Sequence, residues 1–131
     1  MPGSFDKDII MPLVTITAAD QHPQAWYRNV ADIVNDIVIE TLDFPADDRY
    51  QIIQALPADR IELQTRSGDA LILQLTMRSG RSDTAKQRFY RQVAEALGQK
   101  ADINPANIMI VITENKDADW SFGHGEAQFL V

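Results

Sequence analysis

Pro12 follows Met11 at the start of an apolar segment, and its nitrogen is the atom of this chain with the most unusual possible reactivity. As a chain terminus its nitrogen would be a secondary amine, able to accept or donate a proton or to act as a cation. Inside a chain the same nitrogen is an amide that has no proton to give or take. The chemistry open to Pro12 therefore depends on whether its nitrogen is an amine or an amide.

Three further groups of residues could complete a site around Pro12. Asp48 lies in a loop between predicted elements, where a carboxylate could position a proton or simply be solvated. Arg78 and Arg81 flank a turn, and two guanidinium groups there could hold one carboxylate by paired hydrogen bonds. Trp120 and Phe122 lie in a polar, glycine-containing segment without core periodicity, which is typical of a pocket wall or an interface.

Composition limits the classes of function. The chain has 131 residues, 45% of them hydrophobic, which predicts one domain with a real core. With no cysteine and only two histidines, disulfides, thiolate chemistry and common zinc sites are excluded or disfavoured. A net charge of -7 argues against nucleic acid, although a local arginine cluster could still bind a small anion. No apolar run is long enough for a membrane span and no signal peptide is evident, so we expect a cytoplasmic protein that binds no membrane.

A strand–helix–strand pattern occurs twice along the chain. Alternating or continuous apolar segments predict strands, and apolar residues at three- and four-residue steps predict helices. The predicted strands cover residues 13–17, 50–56, 71–77 and 108–113, and the predicted helices cover about 23–41 and 83–97. A short strand at 61–64 and a hairpin or loop at 120–131 that packs on a neighbouring subunit are also expected.

This repeat predicts an α+β fold made of two consecutive βαβ units. Right-handed crossovers make the two strands of each unit parallel, which gives a four-stranded sheet with both helices on one face. The other face needs a cover, because Ile52, Leu73, Leu75 and the 108–113 run are apolar. We therefore expect oligomerisation through the sheet.

The residues that could do chemistry also resemble a known family, the tautomerase superfamily, and most closely its malonate semialdehyde decarboxylase-like branch. The resemblance runs from Pro12 to the end of the chain, and its most specific part is the aromatic tail. It rests on Met11-Pro12-Leu13, Asp48-Arg49-Tyr50-Gln51, Arg78, Arg81, Glu114-Asn115, Asp119-Trp120-Ser121-Phe122-Gly123, Gly125, Ala127, Gln128 and Phe129.

The resemblance implies a role for each matching residue. It implies that Pro12 is the reacting amino-terminal proline, that Asp48 positions water or a proton, and that the two arginines bind a substrate carboxylate. It further implies a homotrimer without metal or organic cofactor that acts on a small oxo acid, by β-decarboxylation with possible hydratase activity or by enol–keto tautomerisation. The implied site residues are Pro12, Asp48, Arg78, Arg81, Trp120, Phe122 and Phe129.

Residues 1–11 form a predicted N-terminal extension, and residues 12–131 form the tautomerase-like domain. Three accounts of the extension are open. Met11 is the true start and is removed, so that Pro12 is free; or the extension is retained and the protein is a non-catalytic trimeric relative; or Met1 is removed and Pro2 is the terminal proline. Arg78 and Arg81 are separated by Ser79-Gly80, and this spacing does not determine whether Arg81 reaches the site.

Overall fold

The computed structural model of the chain describes residues 12–46, 49–64, 66 and 69–130. Both predicted βαβ units are present, in the predicted order, which confirms the fold expected from the sequence. The elements are β1 (Leu13–Ala19), α1 (Gln24–Leu42), β2 (Tyr50–Leu56), β3 (Leu71–Arg78), α2 (Asp83–Ala101) and β4 (Ile108–Asn115). Of the described helices, none is long and apolar enough to cross a membrane.

Local residue chemistry explains where the helices begin and end. α1 follows Pro23, whose extended backbone leads into the first turn, and α1 ends at Asp43 in the left-handed conformation, with φ of 59°. α2 begins after Ser82, whose hydroxyl accepts the Ala85 N–H at 3.1 Å and thereby caps the helix.

The sheet has the strand order β2-β1-β3-β4, and its register builds the site. The outer pairs are parallel, whereas the central pair β1/β3 is antiparallel, with Leu13 opposite Thr76. The start of β1 therefore lies beside the end of β3. β4 runs parallel to β3, with Asn115 opposite Arg78. The start of β1, the end of β3 and the end of β4 therefore meet at one end of the sheet.

The two helices pack on one face of the sheet and bury the core between them. Leu73 and Leu75 lie on this helix-covered face and are fully buried, so the apolar surface of the open face does not include them. The open face carries Ile52, Val111 and Met109, which are 46%, 38% and 38% exposed. This face remains the surface that the oligomerisation hypothesis requires.

One smaller expectation, a strand at residues 61–64, is wrong. Residues 61–64 form no strand: a short 3₁₀ helix, Ala58–Arg60, precedes them, and Gln64 has φ of 58°, which interrupts an extended backbone. The tail is a loop, one of the two forms expected for it, and in its described part it contains the 3₁₀ helix Gln128–Leu130. It folds back onto its own subunit, where Phe129 is only 1% exposed, and its packing on a neighbouring subunit stays a prediction.

Candidate active site

A small pocket lies at the end of the sheet where β1 begins and β3 and β4 end, and it contains most of the predicted site residues. Five predicted residues line this pocket together with Phe44 and Met77. Phe122 stacks behind it, and Asp48 lies outside the residues that the structure describes. The predicted residues that line the pocket are Pro12, Arg78, Arg81, Trp120 and Phe129.

Pro12 is buried and stands immediately before β1. Its position follows from the antiparallel β1/β3 pairing, which sets the first residue before β1 next to the last residues of β3. Two residues that are distant in sequence, Pro12 and Arg78, are thereby brought to one pocket by backbone register.

Arg78, the last residue of β3, is held on two sides. Its Nη1 donates to Oδ1 of Asp117 at 3.0 Å. Its guanidinium carbon lies 4.0 Å from the centroid of the Phe129 ring, a distance suited to a cation–π interaction. The side chain is 22% exposed, so the positive charge sits at the edge of the pocket and not in its dry interior.

Arg81 also reaches the pocket, because the Ser79-Gly80 turn redirects the chain after β3. Gly80 has φ of 134°, a conformation that other residues rarely adopt. The Arg81 Nε donates to the Leu42 carbonyl at 2.9 Å and Nη2 donates to the Asp43 carbonyl at 3.3 Å. The Arg81 guanidinium carbon also lies 4.0 Å from the centroid of the Phe44 ring.

The environment of Arg81 shows that the two arginine charges influence each other. Burial lowers the pKa of Arg81 and the positive charge of Arg78 lowers it further, whereas the carboxylate of Asp43 acts in the opposite direction. The pocket therefore gathers two guanidinium groups in an acidic protein, and each has a carboxylate nearby, Asp43 for Arg81 and Asp117 for Arg78.

Aromatic residues form the wall of the pocket through contacts with one another. Trp120 stacks on Phe122 with ring centroids 5.3 Å apart and planes 2° apart, and Phe129 meets both rings edge-on. The Trp120 indole N–H donates to Oδ1 of Asn115 at 2.6 Å, which ties the wall to the end of β4. Gln128 accepts the Phe122 N–H at 2.9 Å and donates to the Gly123 carbonyl at 3.1 Å. We call residues 116–130 the wall segment.

Glu114, although part of the tail motif, does not line the pocket. It forms an ion pair with Lys86 of α2, with Oε1 and Nζ 2.8 Å apart. This contact raises the pKa of Lys86 and lowers that of Glu114. Because Glu114 lies near the end of β4, the ion pair links α2 to the end of the sheet beside the site.

Sequence reasoning missed four residues of the site: Phe44, Met77, Asn115 and Asp117. Asn115 belongs to the tail segment that resembles the family, but its residue type alone indicates no role. Met77 lies in the predicted strand 71–77, and its position next to Arg78 is the signal that could have indicated it. Phe44 and Asp117 contact the two arginines across loops, and nothing in their sequence spacing indicates those contacts.

A larger cavity, an open groove of about 630 Å³, lies at the opposite end of β1 and includes His22 and Arg28. The space left in the Pro12 pocket is about 10 Å³, roughly that of one water molecule. We place the candidate site at the smaller pocket, because both arginines and Pro12 converge there. Among the described residues no group of three or more His, Asp or Glu side chains could hold a metal ion.

Known proteins resemble the chain in both sequence and structure. The model of the Tautomerase_2 family, tautomerase enzymes, matches residues 48–123. The probable tautomerase YrdN of Bacillus subtilis (strain 168) is 35% identical over 126 residues, covering 92% of this chain and 97% of the relative.

Solved structures extend the comparison. FG41 malonate semialdehyde decarboxylase inhibited by 3-bromopropiolate matches with a TM-score of 0.84 and 33% identity, covering 91% of this chain and 95% of that one. A second malonate semialdehyde decarboxylase, described with decarboxylase and hydratase activities, matches with a TM-score of 0.80 and 27% identity, covering 90% and 95%. Fused 4-OT, solved as a symmetric trimer, shares the fold with a TM-score of 0.77 at 15% identity, covering 88% and 94%. The chain belongs to the tautomerase superfamily, in its malonate semialdehyde decarboxylase-like branch.

Proposed function

We propose that the protein is an enzyme that acts on a small oxo acid through the nitrogen of Pro12, most like malonate semialdehyde decarboxylase. One observation carries the proposal: buried Pro12 shares a pocket with Arg78, Arg81 and an aromatic wall. The 33% identity to a malonate semialdehyde decarboxylase supports the same substrate class. The proposal requires that Pro12 be a free amino terminus in the active protein.

Substrate binding falls to the two arginines. The Nε and Nη2 of Arg81 are fixed by main-chain carbonyls, which orients the guanidinium and leaves Nη1 for a ligand oxygen. Arg78 presents its guanidinium against the Phe129 ring. Together they would hold a carboxylate so that its bond to the α carbon is aligned with the neighbouring carbonyl π system.

Decarboxylation would use Pro12 as a cation. The bond between the carboxylate carbon and the α carbon breaks, its electron pair moves into the C3 carbonyl, and neutral carbon dioxide leaves. A protonated Pro12 beside the carbonyl oxygen stabilises the enolate that forms. The apolar wall of Trp120, Phe122 and Phe129 favours the loss of charge from the carboxylate. We assign Asp48 the task of positioning a water molecule or a proton.

A second candidate is enol–keto tautomerisation of a 2-oxo acid, favoured by the 35% identity to a probable tautomerase. This reaction needs a neutral Pro12 that removes a proton next to a carbonyl. An ordinary α-amino group titrates at about 7.7–8.0. Burial and nearby cations lower the pKa of an amine, whereas a carboxylate such as Asp48 raises it, so the balance among these groups selects between the reactions.

The decisive experiment compares the full chain with a protein expressed from Met11, each checked by intact mass and terminal sequencing. Turnover of malonate semialdehyde and of phenylenolpyruvate is then measured. The proposal is supported if the protein that begins at Pro12 is active and its Pro12→Ala variant is inactive. It is further supported if the full-length Pro2→Ala variant keeps activity when native processing frees Pro12. A free Pro12 with no turnover of either substrate contradicts it for those substrates. If native protein retains the extension and is inactive, the third candidate applies, a non-catalytic relative whose Pro12 is blocked.

We further propose a homotrimer that uses neither metal nor organic cofactor. Fused 4-OT, which shares the fold, was solved as a trimer. The open sheet face, with Ile52, Met109 and Val111, offers the apolar surface for subunit contact. Sedimentation equilibrium tests the assembly, and activity that survives dialysis against EDTA tests the independence from metal.

A further inference from the structure

Asp117 binds Arg78, one of the two arginines that the proposed function assigns to the substrate carboxylate. Its Oδ1 accepts a hydrogen bond from Nη1 of Arg78 at 3.0 Å, and its side chain is 47% exposed. An incoming carboxylate that binds Arg78 at Nη1 meets an internal carboxylate already in place. Asp117 must therefore affect how strongly the pocket binds an anion.

The charges around the pocket make this competition direct. Arg81 lies close to the carboxylate of Asp43, and Arg78 is paired with Asp117, so each guanidinium has a local counter-ion. An anion that merely joins these four charges gains little, because the positive charge is already compensated. An anion that replaces Asp117 on Arg78 gains the full contact, and the half-exposed Asp117 returns to water at small cost.

The pocket is also too small for an oxo acid in this conformation. About 10 Å³ remains between its side chains, roughly the room for one water molecule. Some part of the lining must move before a ligand of several heavy atoms can enter. The wall segment contacts Arg78 through buried Phe129 and through the half-exposed side chain of Asp117, and the Asp117 contact is the one that water or a ligand can reach.

Asp117 and the Trp120 ring belong to the same short piece of chain. Asp117 opens the 3₁₀ helix Asp117–Asp119, and Trp120 follows it directly. The Asp119 carboxylate accepts the Lys116 N–H at 2.9 Å, which makes this turn a compact unit. Release of Asp117 from Arg78 would therefore remove one restraint on the turn that precedes Trp120, while the Trp120 indole keeps its hydrogen bond to Asn115.

We propose that Asp117 is an exchangeable counter-ion of Arg78, which keeps the wall segment closed until the carboxylate of a substrate replaces it. The chemical class of the ligand, a small carboxylic acid, rests on the proposed function. Asp117 thereby makes entry to the pocket depend on negative charge in the ligand. A residue that only oriented Arg78 would have the opposite effect on affinity, since its removal would weaken carboxylate binding.

The test uses malonate as the probe and calorimetry to measure its dissociation constant. Asp117→Asn should tighten malonate binding about two- to fivefold, the range expected for loss of a competing exposed ion pair. Glu126→Gln makes the same charge change at an exposed position of the wall segment and should leave the dissociation constant unchanged. Asp117→Glu, which restores the carboxylate, should return it toward the original value.

A second readout follows the wall segment. The chain has two tryptophans, so in a Trp26→Phe background the fluorescence reports Trp120. Without ligand, Asp117→Asn should make Trp120 more accessible to acrylamide quenching, while the circular dichroism spectrum and melting temperature confirm that the variant is folded. Weaker or unchanged malonate binding, or unchanged quenching, overturns the proposal.

These outcomes are separable from those of the proposed function, because malonate binding requires no turnover at Pro12. Tighter binding by Asp117→Asn in a protein that turns over no oxo acid would retain the role of Asp117 and reject the enzymatic proposal. Pro12-dependent turnover with no effect of Asp117→Asn on malonate binding would retain the enzymatic proposal and reject the role of Asp117.

Discussion

The two ends of β1 carry pockets that differ in volume and in the residues that line them. The Pro12 end is small and closed, and gathers two guanidinium groups and an aromatic wall. The His22 end opens into the larger groove, where His22 stacks on Trp26 at 3.7 Å and lies 3.1 Å from Oδ1 of Asp69. Volume alone would select the His22 end. The convergence of groups from both βαβ units selects the Pro12 end, and the following predictions test that choice.

The largest effect is expected from Pro12→Ala in the protein that begins at residue 12. Replacement removes the secondary amine and its fixed ring, so kcat for the preferred oxo acid should fall about a hundredfold or more, the scale of a lost proton-transfer group. Steady-state kinetics measures the loss. Pro57→Ala, at a proline distant from the pocket, serves as the control, and equal losses in both variants would contradict the assignment.

Phe129→Ala should produce the largest loss of stability at the Pro12 end. Phe129 is 1% exposed and contacts two other rings of the wall, so its truncation should lower the free energy of unfolding by about 3–5 kcal/mol. Urea denaturation measures this change. Its neighbour Leu130 is 60% exposed, and Leu130→Ala should alter stability little. A small effect of Phe129→Ala would mean that the wall segment is not packed as described.

Arg78→Ala should act on substrate binding. Loss of charge-assisted hydrogen bonds to a carboxylate should raise KM about ten- to a hundredfold. Arg60, whose side chain is 74% exposed, provides the matched control, and Arg60→Ala should leave KM unchanged. An unchanged KM in Arg78→Ala would remove Arg78 from the carboxylate site.

The smallest effect is expected at the other end of β1. His22→Gln keeps a hydrogen-bond donor for Asp69 but loses the ring stacked on Trp26, so the free energy of unfolding should fall by about 1 kcal/mol or less. Oxo-acid turnover should change less than about twofold, because His22 has no contact with the Pro12 pocket. A large loss of turnover in this variant would show that the His22 end takes part in the reaction.

Sequence patterns predicted the fold well because the determining interactions are local or periodic. The 50–56 segment was predicted with its observed bounds, and the steps of three and four between apolar residues predicted both helices. The short strand at 61–64 failed because the left-handed backbone of Gln64 is set by the surrounding loop and not by the apolar pattern of the segment.

The site was predicted in part, and the missing part has a common cause. Arg78 and Arg81 were found by type and spacing, yet their partners Asp117 and Phe44 lie far away along the chain and are brought close by strand register and loop path. The role of Asp48 stays a prediction, since it lies outside the described residues. The β3/β4 pairing brings Asp117 to Arg78, whereas the contact of Phe44 with Arg81 joins the two halves of the chain.

The hydrogen bonds from Arg81 to the carbonyls of Leu42 and Asp43 have a consequence for how this protein can change. The last turn of α1 has no basic residue of its own, so a side chain from the second βαβ unit satisfies the carboxyl end of a helix in the first. A substitution that retuned ligand preference at Arg81 would also leave that helix end uncapped. A change at Arg81 is therefore expected to alter both the ligand preference and the contact between the two βαβ units.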